Sequence, residues 1–337
     1  MALVKANWSR GLTDPLYVET GSDSAFWFSP DAEALSAAEG ILSGAECSIY
    51  STTFGSKKIE EYRAKYRLTR EIYASFADSS TSPSMFECLQ GFDVRNFTLA
   101  NYSDYISSID KTKLPGILID TPVDSLEDLT DREHELFDSY LGAATYLAHT
   151  QDIVDSVFSL ADELRTDVFY EVLDKYKSKI EEARSDTVNC LATMSPLEYS
   201  DKLLHKKMWR RGPYSFFAFS PTVFSRYRAV RYFGARQFLF FAIQDAVYDN
   251  EFILIKLKSL ADDTRFRIIS LLKEKGGLQG SKIVEATGLS ASTVSHHMKN
   301  LREAGLVHEE TDGATKYYSL PTDITQTITD ALKEFLP

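Results

Sequence analysis

Cysteine is scarce in this 337-residue chain: Cys47, Cys88 and Cys190 are odd in number and lie far apart. That spacing argues against a disulfide framework and suits a reducing, cytoplasmic setting. Isolated cysteines of this kind are most often small buried hydrophobes, so no redox or metal sensor is expected from them. No apolar run approaches the ~18–20 residues of a membrane span, and no membrane partner is expected. The stretch Met1 to Trp8 has no apolar core followed by a small-residue cleavage site, which argues against a secretory signal. Also missing are a Gly-rich phosphate loop, a nucleophile elbow and any Cys-His or His-Glu arrangement at recognisable spacing. Pairs such as Glu133 and Glu135 fit a solvated helix. No catalytic residue and no cofactor is therefore expected, and the chain does not read as an enzyme.

A basic excess is lacking too. The chain holds 37 Lys and Arg against 49 Asp and Glu, a net charge of −12. The imbalance is uneven. From Ile253 to Pro337 there are eleven bases and eleven acids; the upstream remainder holds 26 and 38. An acidic body lowers non-specific attraction to nucleic acid and keeps the chain soluble, without preventing a local surface from docking.

Periodicity divides the chain at about residue 250. Upstream, short strand-like pieces at Leu16 to Glu19 and Phe26 to Phe28 precede a helix start at Ser29-Pro30-Asp31, with an Ala- and Leu-rich run to Leu42. The spacing predicts an amphipathic helix over 57–77 and a short helix opened by Pro83. Leu114 to Ile119 reads equally as strand or buried turn. The pattern from Asp124 to about Arg184 is helical. A further helix starts at Ser195-Pro196 and runs to about Arg210. Thirteen Phe or Tyr residues then fall between Pro213 and Phe252. Strand-like runs at 214–219, 229–233 and 237–243 predict a small antiparallel sheet packed on the helices. This aromatic segment reads as ordinary core, with a ligand pocket as the other reading. Lys202, Lys206, Lys207, Arg210, Arg211, Arg226, Arg228, Arg231 and Arg236 form a basic cluster. Three roles are open to it: extra DNA backbone contacts, an anion site, or a solvated face.

The last 85 or so residues carry the strongest signal. An apolar stripe over Glu251 to Leu260 predicts a helix. Asp262-Asp263-Thr264 supplies caps for a second, whose stripe is Phe266, Ile268, Ile269 and Leu272 and which ends at Gly276-Gly277. Ser281 is placed to cap a short helix, Lys282 to Thr287. Gly288 suits a left-handed turn residue, Leu289 plugs the core, and Ser290 caps a helix from Ala291 to Ala304. On that helix Val294, Leu301 and either Met298 or His297 fall at core spacing. Ser292, Thr293, Ser295, His296 and Lys299 are left on the free face. Small hydroxyl groups near a helix start let the helix sit deep in the DNA major groove; Ser and Thr bond to bases or phosphates, and Lys299 neutralises a phosphate. Asp312-Gly313 is a hairpin turn between two alternating strands, which makes a wing with Thr315 and Lys316 near its tip. A final amphipathic helix is expected over Asp323 to Leu336.

These two motifs, Leu260-Ala-Asp-Asp-Thr-Arg-Phe-Arg-Ile-Ile-Ser-Leu-Leu272 and Leu289-Ser-Ala-Ser-Thr-Val-Ser-His-His-Met-Lys-Asn-Leu-Arg-Glu-Ala-Gly-Leu-Val307, followed in order by the wing, resemble the ArsR/SmtB family of bacterial transcriptional regulators. The resemblance covers about a quarter of the chain, from Phe252 to Leu336; a looser one, over Pro196 to Phe224, is to the extended amino-terminal part of some long members. The family implies a winged helix-turn-helix, a homodimer built through the module's first and last helices, and two recognition helices reading a palindromic operator. Most members repress, and release DNA when an inducer binds. Metal-sensing members carry a Cys pair at the short helix or Asp and His sets on the last helix. Here the short helix region reads Leu278-Gln-Gly-Ser-Lys-Ile283 and the last helix has neither His nor Cys, so no metal is expected at those sites.

The expected architecture is mainly α (α+β): a mostly helical amino-terminal sensor or dimerisation domain over 1–250 with a small sheet, then a winged helix-turn-helix over 251–337. The expected DNA-binding residues are Ser290, Ser292, Thr293, Ser295, His296, Lys299, Thr315 and Lys316. The partners are double-stranded DNA, a second copy of the chain and an unidentified small-molecule effector. Two alternatives stand beside this reading: an enzyme with a DNA-binding tail, and an architectural DNA-binding protein that needs no effector.

Overall fold

The computed structural model describes residues 15–45, 47–77, 82–121, 136–204, 212–225, 229–232, 234–243, 257–312, 315–321 and 329. The chain divides into two compact units, Met1–Pro196 with Pro213–Ile243, and Leu197–Gly212 with Gln244–Pro337. Architecture is mainly helical with two small sheets.

The larger unit is built on a five-stranded sheet: β1 (Leu16–Glu19), β2 (Ser24–Phe28), β3 (Phe216–Thr222), β4 (Ala229–Tyr232) and β5 (Arg236–Ala242), in the order β1-β2-β3-β5-β4. The three inner strands run parallel, with Ala25 opposite Ala218 and Phe219 opposite Leu239. Only the edge strands β1 and β4 are antiparallel to their neighbours. The sheet is therefore mixed, not antiparallel as the aromatic runs suggested. Of those runs only β4 and β5 pair as antiparallel neighbours; β3 lies parallel to β5 on one side and, on the other, to β2, which precedes most of the helices in sequence. The inner strands show the consequence. Ser24 to Phe28 are all buried, as are Phe217 to Thr222, the pattern of strands covered on both faces. Most described Phe side chains of the aromatic segment, including Phe217, Phe219, Phe224 and Phe238, are core, while Phe216 is half-buried.

Around the sheet run α1 (Pro30–Leu42), α2 (Ser48–Phe54), α3 (Ser56–Lys65), α4 (Arg67–Ala74), α5 (Leu99–Ser108), α6 (Leu114–Leu118), α7 (Tyr140–Ala148), α8 (Thr150–Leu164), α9 (Asp167–Lys175) and α10 (Lys177–Leu191). Helix α1 starts where the sequence says it should: the Ser29 hydroxyl accepts from the Ala32 N–H at 3.4 Å, with Pro30 in the first turn. It packs along α8 and buries Ala34, Leu35, Ala38 and Ile41 completely. Each large apolar side chain so buried contributes roughly 1.5–3 kcal/mol before entropy is counted. The stretch over 57–77 is two helices. The break falls at Tyr66, whose φ of −103° and ψ of 41° leave the helical region; Lys65 Nζ and Tyr66 Oη there meet Glu163 Oε1 of α8 at 2.5 and 2.6 Å. Leu114 to Leu118, open between strand and turn, is a short buried helix. The helix opened by Pro83 is a 3-10 segment, Met85–Gly91, capped by Ser84.

One carboxyl group is sealed inside this unit. Glu33, in the first turn of α1, is wholly buried, and its Oε2 accepts from the Val223 and Phe224 N–H groups at 2.9 and 2.8 Å, just past the end of β3. Burial pushes its carboxyl up to about 7, against the pull of those hydrogen bonds. Burial, with Asp120 and Glu39 nearby, likewise raises Glu87 to about 9.

In the smaller unit α11 (Pro196–Leu203) is the helix expected at Ser195-Pro196; its continuation toward Arg210 lies outside the described residues. Residues 251–256 and the expected last helix, Asp323 to Leu336, fall almost wholly outside them as well.

Candidate nucleic-acid interface

The described carboxy-terminal module consists of α12 (Asp263–Lys275), β6 (Leu278–Gln279), α13 (Gly280–Thr287), α14 (Ala291–Glu303), β7 (His308–Asp312) and β8 (Thr315–Ser319). Helix α12 begins on Asp262, whose Oδ1 accepts from the Arg265 N–H at 2.8 Å. That hydrogen bond, with the Arg265 guanidinium nearby, holds the Asp262 carboxyl below its usual range. The helix ends at Gly276, with φ +78°. Its stripe is narrower than expected. Ile268 and Leu272 are buried and Ile269 packs partly against them, but Phe266 points away and is 59% exposed.

The turn between α13 and α14 depends on Gly288, at φ +68°, a backbone conformation that side-chain-bearing residues rarely adopt. Ser281 does not cap α13. The helix begins two residues earlier, at Gly280 with Gln279 as its N-cap and without a side-chain cap, because Leu278 and Gln279 are drawn into a third strand paired with β8. Gln279 Nε2 donates to Tyr317 Oη at 2.8 Å.

Helix α14 is fixed from its inner side. Val294, Met298 and Leu301 join Ile268, Leu272, Ile283, Ala304, Leu306, Val307 and Tyr318 in one buried cluster, against which Leu289 packs. Met298 thus takes the core position, and the His297 side chain is 14% exposed at its margin, with Nδ1 3.8 Å from Asp262 Oδ1. At about 100° per residue, Ser292, Ser295, His296 and Lys299 then share an arc of about 100° on the opposite side; all four are exposed. Thr293 and Asn300 border that arc and are half-buried.

The hydroxyls at the helix start are already engaged. Ser290 Oγ accepts from the Thr293 N–H at 3.1 Å and lies 2.7 Å from Thr293 Oγ1 and 2.9 Å from Ser292 Oγ. Ser290 is first of all a cap, and Thr293 shares that cluster. Asn300 was not singled out from the sequence, though it follows His296 by one helical turn; its Nδ2 lies 3.4 Å from His296 Nε2. That i, i+4 spacing was the available signal.

In the wing, Asp312 pairs with Thr315 across the turn, and Gly313 and Ala314 lie outside the described residues. Lys316 is exposed and ion-paired: its Nζ is 3.3 Å from Glu309 Oε1. Of the basic cluster upstream, Lys206, Lys207, Arg210, Arg211, Arg226 and Arg228 lie outside the described residues, and Lys202 belongs to the smaller unit. Arg236 belongs to the larger one and is half-buried there. It donates to the Phe92 and Gln90 carbonyls at 2.7 and 3.4 Å and lies over the Phe216 and Phe238 rings. Its guanidinium stitches backbone inside the fold. Among the described residues no group of three His, Cys, Asp or Glu side chains is placed to hold a metal ion, and no helix is long and apolar enough to cross a membrane.

Comparison with known proteins places a name on this module. The family model described as "Bacterial regulatory protein, arsR family" matches residues 262–309. The arsenic resistance transcriptional regulator ArsR1 of Pseudomonas putida is 37% identical over 79 residues, which are 23% of this chain and 62% of that regulator. The HTH-type transcriptional regulator YceK of Bacillus subtilis is 39% identical over 80 residues, 23% of this chain and 80% of the relative. The transcriptional repressor SdpR of the same organism is 35% identical over 69 residues, 20% of this chain and 76% of the repressor. The matched residues contain the capped α12, the Gly288 turn and the whole of α14. The chain belongs to the arsR family of bacterial regulatory proteins, and its matched region is the DNA-binding module of a transcriptional regulator.

Proposed function

We propose that the chain is a cytoplasmic, homodimeric repressor that binds a palindromic operator through α14 and the wing. The observation that carries this reading is the exposed arc of Ser292, Ser295, His296 and Lys299, held opposite a close-packed inner face. In this reading α14 enters the major groove, Ser295 and His296 reach base edges, and Lys299 meets a phosphate. Ser290, Ser292 and Thr293 present hydroxyls at the helix start, where N–H groups and the helix dipole favour a phosphate. Thr315 and Lys316 of the wing meet the flanking backbone.

The amino-terminal region, 1–250, serves as the sensor or dimerisation domain and 251–337 as the DNA-binding domain. An effector acts by binding one state of the dimer more tightly than the other; equal affinity for both shifts nothing. Repression is favoured by the name of the SdpR relative. Genome-wide mapping of bound sites in the source cell tests the reading: it predicts a set of related palindromes at promoters. Binding spread evenly along the genome would refute it.

A further inference from the structure

The wing has the wrong charge for its proposed place. Between His308 and Ser319 it holds Glu309, Glu310 and Asp312 but only one Lys or Arg, Lys316. Beside a phosphate backbone, an acid exposed on the wing repels unless it is engaged; Glu310 is buried. Glu309 is engaged in a particular way. Its Oε1 lies 3.2 Å from Arg302 Nη1, on the last turn of α14, and 3.3 Å from Lys316 Nζ, on β8. The Tyr318 phenol is a third hydrogen-bonding neighbour. The Glu309 side chain is 14% exposed, that of Arg302 23% and that of Lys316 56%. One carboxylate oxygen therefore stands between a base of the recognition helix and the base of the wing.

We infer that Glu309 sets DNA affinity by competing with phosphate for Lys316, while its pairing with Arg302 ties the wing to α14. This rests on the DNA-binding reading and deepens it. The unequal exposures decide which pair exchanges. Lys316 has a long, solvated stem and can swing from Glu309 to a phosphate oxygen at small cost, since exposed pairs contribute little. Arg302 is more enclosed and stays on Glu309 as the duplex arrives. Wild-type protein thus gains less from its wing lysine than an unpaired lysine would give.

The test needs no operator, because non-specific binding is almost entirely phosphate contact. The full chain is titrated against a labelled DNA duplex of mixed sequence over a range of salt, reading anisotropy, with thermal melts run in parallel. Glu309→Gln is expected to bind about two- to fivefold tighter at low salt and to steepen the slope of log K against log salt by up to about 0.9. Lys316→Gln should weaken binding less than twofold in the wild-type background and by the full two- to fivefold in the Glu309→Gln background. Unchanged or weaker binding by Glu309→Gln, or strictly additive effects, overturns the inference. So does a lost melting transition in Glu309→Gln, which would make Glu309 a fold staple only. Wild-type protein that ignores the duplex at every salt concentration refutes the DNA-binding reading itself, a distinct failure.

Discussion

In the larger unit the carboxyl of Glu33 is sealed inside and satisfied by two backbone N–H groups, whereas in the smaller unit Ser292, Ser295, His296 and Lys299 face outward. The first arrangement is closed to any partner; the second leaves chemistry for one. The connectivities differ in the same sense. Parallel pairing joins Ala25 to Ala218, across nearly the whole unit. In the carboxy-terminal module α12, α13, α14 and the wing follow one another in sequence and pack on one cluster. A buried parallel sheet needs distant partners before any strand is covered, while a helix-turn-helix is specified by caps, turns and stripes a few residues apart.

Four substitutions sharpen this contrast, beginning with the largest effect. Leu301→Ala removes a wholly buried side chain from the cluster beneath α14 and is expected to destabilise the smaller unit by about 2–5 kcal/mol, read by urea denaturation. The larger unit should keep its own transition; loss of both together would mean that the units do not fold separately.

Glu33 gives the larger unit a pH signature. Its carboxyl titrates near 4.5 when unfolded and at about 7 when buried, so between those values the folded chain holds a proton that the unfolded chain has lost. The Glu33 contribution to stability is thus fully present below about 4.5 and is lost as pH rises to about 7, a change of roughly 3 kcal/mol. Glu33→Gln should remove that part of the pH dependence between about 4.5 and 7 in urea titrations followed by tryptophan fluorescence. A slope that survives the substitution would assign it to other groups, of which the raised Glu87 is the first to check.

Ser290→Ala removes the cap hydroxyl that accepts from the Thr293 N–H and should cost the smaller unit about 1 kcal/mol. Lys299→Gln is the mildest: the fold is expected to be unchanged and the salt slope of DNA binding to drop by about 0.9, one phosphate contact. An unchanged slope would take Lys299 out of the interface.

What the sequence discloses follows the same division. The Ser29, Asp262 and Ser290 caps, the Gly276 and Gly288 turns and the core places of Val294 and Leu301 on α14 are local events, legible from a few neighbours, whereas spacing alone left Met298 and His297 as alternatives. Four features are not. Ser281 loses its cap role because β6 recruits Leu278 and Gln279 to the distant β8. Phe266 fits the α12 stripe by spacing but faces away from the cluster. Arg236 reads as part of a basic surface and is spent on the Phe92 carbonyl and two rings. The aromatic strands show where β lies without showing that β5 inserts between β3 and β4. For Ser281 and Arg236 the deciding partner is remote in sequence.

The central claim is that two copies of α14 read neighbouring turns of one duplex. A hydroxyl-radical footprint of purified protein on a site recovered by genome-wide mapping tests it most directly, with Ser295→Ala/His296→Ala compared in the same experiment. Two protected half-sites are expected, centred about 10 base pairs apart or at a multiple of that spacing. In the double variant both should fade together, by about 1–3 kcal/mol for each lost base contact, with folding and dimerisation intact. A single unpaired protected patch, or a footprint that the double variant reproduces unchanged, would contradict the account.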